Sequence, residues 1–145
     1  MNEITQLYPR LVVHGADAAI AFYRNALGAE LVERYTDPGG RVVHAMLAAG
    51  PSRWAVKDAD AHDPGPTGGG GPVILALYVA DADAVAARMV EGGATVVFPV
   101  ADHPYGERGG RLADPFGHLW MIAQRTEQLT PEEIRSRTEA MFDAQ

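Results

Sequence analysis

Apolar positions along the chain follow two rhythms, and the switch between them occurs twice. Leu7 to His14 is a nearly continuous apolar run rich in Val and Leu that ends at Gly15, the pattern of a buried strand. Ile20, Phe22, Tyr23 and Leu27 then recur at helical spacing, with Asp17 placed as an N-cap and Gly28 as a left-handed stop. Glu30 to Thr36 and Arg41 to Ala49 read as a hairpin around Asp37-Pro-Gly-Gly40, and Arg53 to Lys57 as a fourth strand. The order then returns. A strand from Val73 to Val79 precedes a helix that starts at about Asp81 or Asp83, ends at Glu91 and stops at Gly92-Gly93. Strands follow at Thr95 to Val100, near Gly110 to Ala113, and at His118 to Gln124.

The residues repeat as well as the rhythm. Tyr8-Pro-Arg-Leu-Val-Val13 corresponds to Ile74-Leu-Ala-Leu-Tyr-Val79, and Arg53-Trp-Ala-Val-Lys57 to Leu119-Trp-Met-Ile-Ala123, both sixty-six positions on. Leu27-Gly-Ala-Glu-Leu-Val32 is echoed by Gly92-Gly-Ala-Thr-Val-Val97 at sixty-five. One βαβββ unit is therefore written twice, a period too long for a solenoid. The boundaries predicted are a first half over 1–57, a linker over 58–72, a second half over 73–125 and a helical tail over 126–145, together one domain. Asp63-Pro-Gly-Pro-Thr-Gly-Gly-Gly-Gly-Pro72 cannot form a regular element, and its glycines are not a phosphate loop because no Lys-Ser/Thr follows. In the tail, Thr130-Pro-Glu-Glu133 is a capping box with proline at the first helical position. Ile134, Arg137, Thr138, Met141 and Phe142 share one face of that helix, which is expected to dock on its own subunit or a twin.

Composition narrows the class of function. The chain has 145 residues, 47% apolar and 21% charged, enough for a packed core. A net charge of −7 without a basic stripe argues against nucleic acid as a partner. With no cysteine there is no disulfide, thiolate metal site or cysteine nucleophile. No apolar run reaches membrane-spanning length and no signal pattern opens the chain, so a cytoplasmic location is expected.

Phe22-Tyr23 with Gly28-Ala29, His44-Ala45, and Tyr105-Gly-Glu-Arg108 leading to Asp114-Pro-Phe-Gly-His118 resemble the vicinal oxygen chelate superfamily, in its PhnB-like glyoxalase/bleomycin-resistance branch. The similarity covers roughly residues 7 to 125. It implies an α+β fold in which two βαβββ repeats form a curved eight-stranded mixed sheet around a cleft, with helices outside. It also implies pairing of two chains as a homodimer, the helix from Pro131 to Phe142 adding to the interface. Superfamily chemistry usually needs a divalent metal held by four strand residues. Carried through the repeat, those positions are Tyr8, Ala55, Ile74 and Met121, which hold no good ligand set, so no metal and no other cofactor is expected.

Strand alternation places Tyr8, Arg10, Val12, Arg53, Ala55, Ile74, Ala76, Tyr78, Leu119, Met121 and Ala123 toward the cleft. Tyr8, Ile74, Tyr78 and Met121 are its expected floor. Arg10 and Arg53 either supply polar contacts to a ligand or bridge to acids such as Glu33 or Asp58. Tyr105 and Arg108 sit on a proline-containing loop beside His103 and Glu107, at the cleft mouth. Such a lining suits a small organic molecule, and metal-free sequestration of an aromatic or polyketide-like drug or metabolite is the first functional expectation, in line with the antibiotic-resistance members of the superfamily. The alternative is an isomerase, lyase or dioxygenase-like enzyme with a lost or displaced metal site. His44, His103 and Glu107 are then the acid/base candidates, with a hydrogen-bonded structural role for His44 as the competing reading.

Overall fold

The computed structural model describes residues 3–67 and 71–143. The ends of the chain and positions 68–70 of the expected glycine linker lie outside the described residues. The elements run β1 (Arg10–Val13), α1 (Ala16–Leu27), β2 (Glu30–Thr36), β3 (Val42–Ala49), β4 (Ser52–Asp58), β5 (Ile74–Tyr78), α2 (Ala82–Glu91), β6 (Thr95–His103), β7 (Glu107–Ala113), β8 (Leu119–Arg125) and α3 (Pro131–Asp143). The βαβββ order thus occurs twice before a terminal helix. The eight strands are hydrogen-bonded as two four-stranded mixed sheets, ordered β1-β4-β3-β2 and β5-β8-β7-β6. In each sheet the first strand pairs in parallel with the last, and the remaining pairs are antiparallel.

Two compact units carry these sheets. The first holds the N-terminal half together with Pro115–His118, and the second holds Pro72–Asp114 and the chain from Leu119 onward. The exchanged turn is built into the first unit by specific contacts. Phe116 packs edge-on against Phe22 with ring centroids 6.0 Å apart, and the His118 ring Nε2 lies 3.0 Å from the Val12 carbonyl oxygen.

The helix starts show how the repeat is both kept and varied. Asp17 does not cap α1: the cap position is Gly15 at φ 89°, a left-handed conformation that a side chain would oppose. Asp17 lies one residue inside the helix and bonds Arg34 at 2.9 Å instead. The first free amide of α1, Ala16 N–H, donates to Asp58 Oδ1 at 2.7 Å. At the equivalent place in the second unit Ala82 N–H donates to Gln124 Oε1 at 3.0 Å, while Asp81 caps α2 by accepting from Ala84 N–H. A strand-end side chain thus satisfies each helix start, which an N-terminal turn otherwise leaves unpaired.

Each helix covers one face of its sheet. In the first unit Tyr23, fully buried, meets Trp54 edge-on at 5.9 Å above Leu47 and Val56. In the second, Met89 of α2 is buried, as are Leu112, Trp120 and Ile122, and the Trp120 indole N–H donates to Asp114 Oδ2 at 2.9 Å. Since Trp54 and Val56 are on the helix side, Arg53, Ala55 and Lys57 point to the opposite face. Likewise Arg108 reaches Asp83 of α2, so Glu107, Gly109 and Arg111 face away from the helix.

The terminal helix α3 begins at the expected capping box, in which Thr130 N–H donates to Glu133 Oε1 and Glu133 N–H to Thr130 Oγ1, both at 3.1 Å. It has no buried residue, and Arg137 ties it to Glu127 at 2.6 Å and to the Pro104 carbonyl. No described helix is long and apolar enough to cross a membrane.

Candidate functional site

The helix-free face of the second sheet contains a cavity of about 130 Å³. Its floor is small because Gly109 is paired with Ala123 across β7 and β8. Gly109 also cannot be enlarged, since a Cβ there would stand 2.6 Å from the Ile122 carbonyl oxygen. Met121, Arg111 and Phe98 form one wall, in register with one another across β8, β7 and β6. His103, Tyr105 and Glu107 form the other, at the turn joining β6 to β7.

The expected proline-containing loop from His103 to Arg108 is a tight hairpin end: His103 and Glu107 are cross-strand partners with only Pro104, Tyr105 and Gly106 between them. His103 stacks on Tyr105 with centroids 5.1 Å apart and rings 5° from parallel, while its Nε2 lies 3.1 Å from the Gly109 carbonyl oxygen. Because that carbonyl only accepts, Nε2 is the donor of this contact. Glu107 Oε2 accepts from the Tyr78 hydroxyl at 2.9 Å, and the Arg125 guanidinium lies 4.9 Å above the Tyr78 ring. Burial first, and then the hydrogen bond to Glu107, push the Tyr78 hydroxyl above the usual phenol value. Burial followed by the Glu107 charge does the same to Tyr105. Both therefore stay protonated donors at neutral pH. Arg111 lies 5.7 Å from the Phe98 ring centroid, and its buried Nε–H has no hydrogen-bond partner among the described residues. A donor left unsatisfied in a cavity wall is a standing demand for an acceptor.

The corresponding face of the first sheet is occupied by its own side chains. Arg10 donates to His44 Nδ1 and to the Val43 carbonyl oxygen, both at 2.8 Å. His44 Nε2 contacts Glu33 Oε2 at 3.3 Å, and Tyr35 stacks on the imidazole at 6.1 Å and 15°. Both ring nitrogens are engaged, so His44 presents no free lone pair to a substrate. Arg10 reaches Glu33 only through His44, a relay that neither sequence alternative contained. Lys57 is buried and binds Asp60 at 2.9 Å and Asp63 at 2.6 Å, and its ammonium holds the Asp60 carboxyl far below the usual carboxylate range.

The residues proposed from sequence are therefore divided. Tyr105, Glu107, His103 and Met121 come together at the cavity, with Tyr78 held to it through Glu107. Ile74 is on β5 and 41% exposed, outside the cavity lining. Arg108 is drawn to the helix side by Asp83 and Asp102, which together raise its already high pKa. Arg10, His44 and Ala55 belong to the first sheet, Tyr8 precedes β1, and Arg53 is exposed with no partner among the described residues. Phe98 and Arg111 were not foreseen. The adjacent glycines at 109 and 110 were the available signal, because paired glycines within a strand mark a close backbone approach.

Residues 4–122 match the family described as the glyoxalase/bleomycin resistance protein/dioxygenase superfamily. The chain belongs to that superfamily. The uncharacterized protein Mb0911c of Mycobacterium bovis is 36% identical over 149 residues, covering 99% of this chain and 98% of that one. TioX from Micromonospora sp. ML1 is 25% identical with a TM-score of 0.67, over 84% of this chain and 99% of TioX. The PhnB protein from Bacillus cereus shares the fold at 19% identity and a TM-score of 0.65, over 83% of this chain and 99% of that one.

The four positions that the resemblance assigns to a metal, Tyr8, Ala55, Ile74 and Met121, carry a phenol, a methyl, a branched alkyl and a thioether. That donor set does not fit a hard dication, which needs imidazole or carboxylate. Among the described residues no group of three or more His, Asp or Glu is placed to hold a metal ion.

Proposed function

We propose that this superfamily member is a cytoplasmic, metal-free binding protein for an aromatic drug or metabolite that carries a carboxylate or carbonyl group, and that the ligand sits on the second sheet at Met121, Tyr105, Phe98 and Arg111. The observation that carries the proposal is the unpartnered, buried Arg111 Nε–H in the wall of an otherwise ring-sized cavity. A volume of about 130 Å³ is close to that of an engineered cavity of roughly 150 Å³ that takes up benzene, so one aromatic ring fits and a fused polyketide does not. Arg111 also has no carboxylate partner among the described residues, so a ligand carboxylate offers the charge-assisted bond that the protein withholds. Glu107, at the far wall, repels a carboxylate there and orients the ligand with its acid toward Arg111.

Calorimetric titration with 4-methoxybenzoate tests this reading. Saturable one-to-one binding is expected, together with weaker binding of the uncharged 4-methoxybenzamide. Met121→Ala should weaken 4-methoxybenzoate by about 1 to 3 kcal/mol through lost apolar contact. Arg111→Met should weaken it by about 1.5 to 3 kcal/mol through the lost bond to a charged group. Absence of saturable heat, or full affinity in both variants, would overturn the proposal.

We further propose that the protein acts as a homodimer through α3, since Phe142 is 66% exposed and Ile134 39% exposed on a helix with no buried residue. Light scattering should return the mass of two chains. A single-chain mass that persists at high concentration contradicts it.

A further inference from the structure

A second cavity, of about 450 Å³, adjoins the first within the same unit. Tyr105 and Glu107 line both, so one pair of side chains forms the partition between them. The second cavity is more than three times the size of the first, and its remaining walls are the strand exit from Arg125 to Leu129 and Ile134 of α3. The hairpin fixes those walls, because Thr126 N–H and Glu127 N–H both donate to the Gly106 carbonyl, at 2.9 and 3.2 Å.

The charged groups around this cavity are mostly engaged: Arg125 lies over the Tyr78 ring, Glu107 accepts from the Tyr78 hydroxyl, and Glu127 is paired with Arg137 at 2.6 Å. An anionic group entering there would face the carboxylates of Glu107 and Glu127 against the single Arg125. What the walls do offer is the Gln128 amide and Thr126 hydroxyl, each able to donate and accept, beside the apolar surfaces of Leu129 and Ile134. A pyranose has the same two-sided character, with a hydroxyl rim and an apolar C–H face.

The second cavity adjoins the first at Tyr105 and Glu107, and Arg111 lines only the first. Arg111 and Glu107 are four residues apart on β7, about 13 Å at the rise of an antiparallel strand. A ring whose acid meets Arg111 therefore directs its para substituent toward Tyr105 and Glu107, and so toward the second cavity. We infer that the protein recognises an aryl carboxylate bearing an uncharged, hydroxyl-rich para substituent such as a hexosyl group, the ring in the first cavity and the sugar in the second. This rests on the aryl-carboxylate reading above and adds the second subsite to it.

The test is titration of the full chain with 4-methoxybenzoate and with 4-carboxyphenyl β-D-glucopyranoside, which share the ring and acid and differ in the para group. The glucoside should bind about tenfold more tightly or better, an increment of one decade in affinity. Gln128→Trp, which fills the second cavity, should remove that gain while leaving 4-methoxybenzoate unchanged, and the unchanged affinity also reports an intact fold. Thr126→Trp blocks the same cavity from a second lining position and should give the same result. Equal affinity of the two probes for the parent protein, or a gain that survives both variants, overturns the second subsite and leaves the first standing. If neither probe binds, the aryl-carboxylate reading fails and the second subsite with it.

Discussion

Val12, Lys57, His44 and Tyr35 cross the first sheet in one row, and Tyr78, Ala123, Gly109 and Ala101 cross the second in the equivalent row. The strand orders are the same and the register is nearly so, and it is the second row that lies under the cavity. The difference is side-chain volume at two positions. Where the first sheet has a lysine and a histidine that fill the face and bind their own neighbours, the second has a methyl group and a hydrogen atom. Duplication thus supplied two scaffolds. One is consumed by internal pairing, through Arg10, His44 and Glu33 and through Lys57, Asp60 and Asp63, and the other keeps Arg111 unsatisfied. A shared topology says little about which half binds; the size and pairing of a few residues on one face decide it.

The contrast is broken most severely at the floor. Gly109→Val places a branched side chain where a Cβ already meets the Ile122 carbonyl oxygen at 2.6 Å, and the contact is backbone that cannot rotate away. Urea denaturation should show a loss of about 1 to 3 kcal/mol or more, in the range of overpacked sites. An unchanged midpoint would mean that the two strands are not as close as described.

Next in size is Lys57→Met, which keeps the first face filled but removes the ammonium from Asp60 and Asp63. The His62 and Asp63 amides, both bonded to Asp60 Oδ1, should exchange faster with solvent while amides of the second sheet do not change. Uniform loss of protection in both units would show that Lys57 does not act locally.

Acid gives a milder version of the same test. The Asp60 carboxyl is depressed in the folded chain, first by the Lys57 hydrogen bond. Its contribution to stability is therefore fully present above the unfolded carboxylate value, near about 3.9, and is lost as pH falls through the lower folded value. The side-chain carboxyl carbon shift of Asp60 should stay constant down to about pH 4 and move only below it. A transition of that carbon between pH 5 and 7 contradicts the pairing.

The smallest effect is expected at the first helical turns, where Asp17 holds Arg34 and Asp83 holds Arg108, one pair in each unit. These carboxylates are exposed, so solvent screens them. Asp17→Asn and Asp83→Asn should each shift the thermal midpoint barely measurably, and Asp83→Asn the less, because Arg108 retains Asp102.

Much of this architecture was legible in the sequence because it rests on short-range rules. Alternation marks the strands, the spacing of Ile20, Tyr23 and Leu27 marks a helix, and Gly and Pro mark the breaks. The sixty-six-residue repeat then aligned the halves. What stayed hidden depends on contacts distant along the chain. Asp58 meets the start of α1 from 42 residues away, and His118 meets Val12 from 106. The wall residue Phe98 was hidden for another reason. β6 shifts register on both sides of it, so simple alternation from Thr95 assigns the wrong side. Met121 was reached through the repeat, because β8 keeps its register, and Tyr105 and Glu107 through the loop that follows Pro104.

Methyl NMR compares the two faces in one experiment. Met46 and Ala55 are cross-strand partners in the first sheet, and Met121 and Ala123 lie on β8 beside the cavity in the second. Titration of 4-methoxybenzoate should move the Met121 and Ala123 methyl resonances and leave those of Met46 and Ala55 in place. Movement confined to Met46 and Ala55 would contradict the assignment of binding to the second sheet.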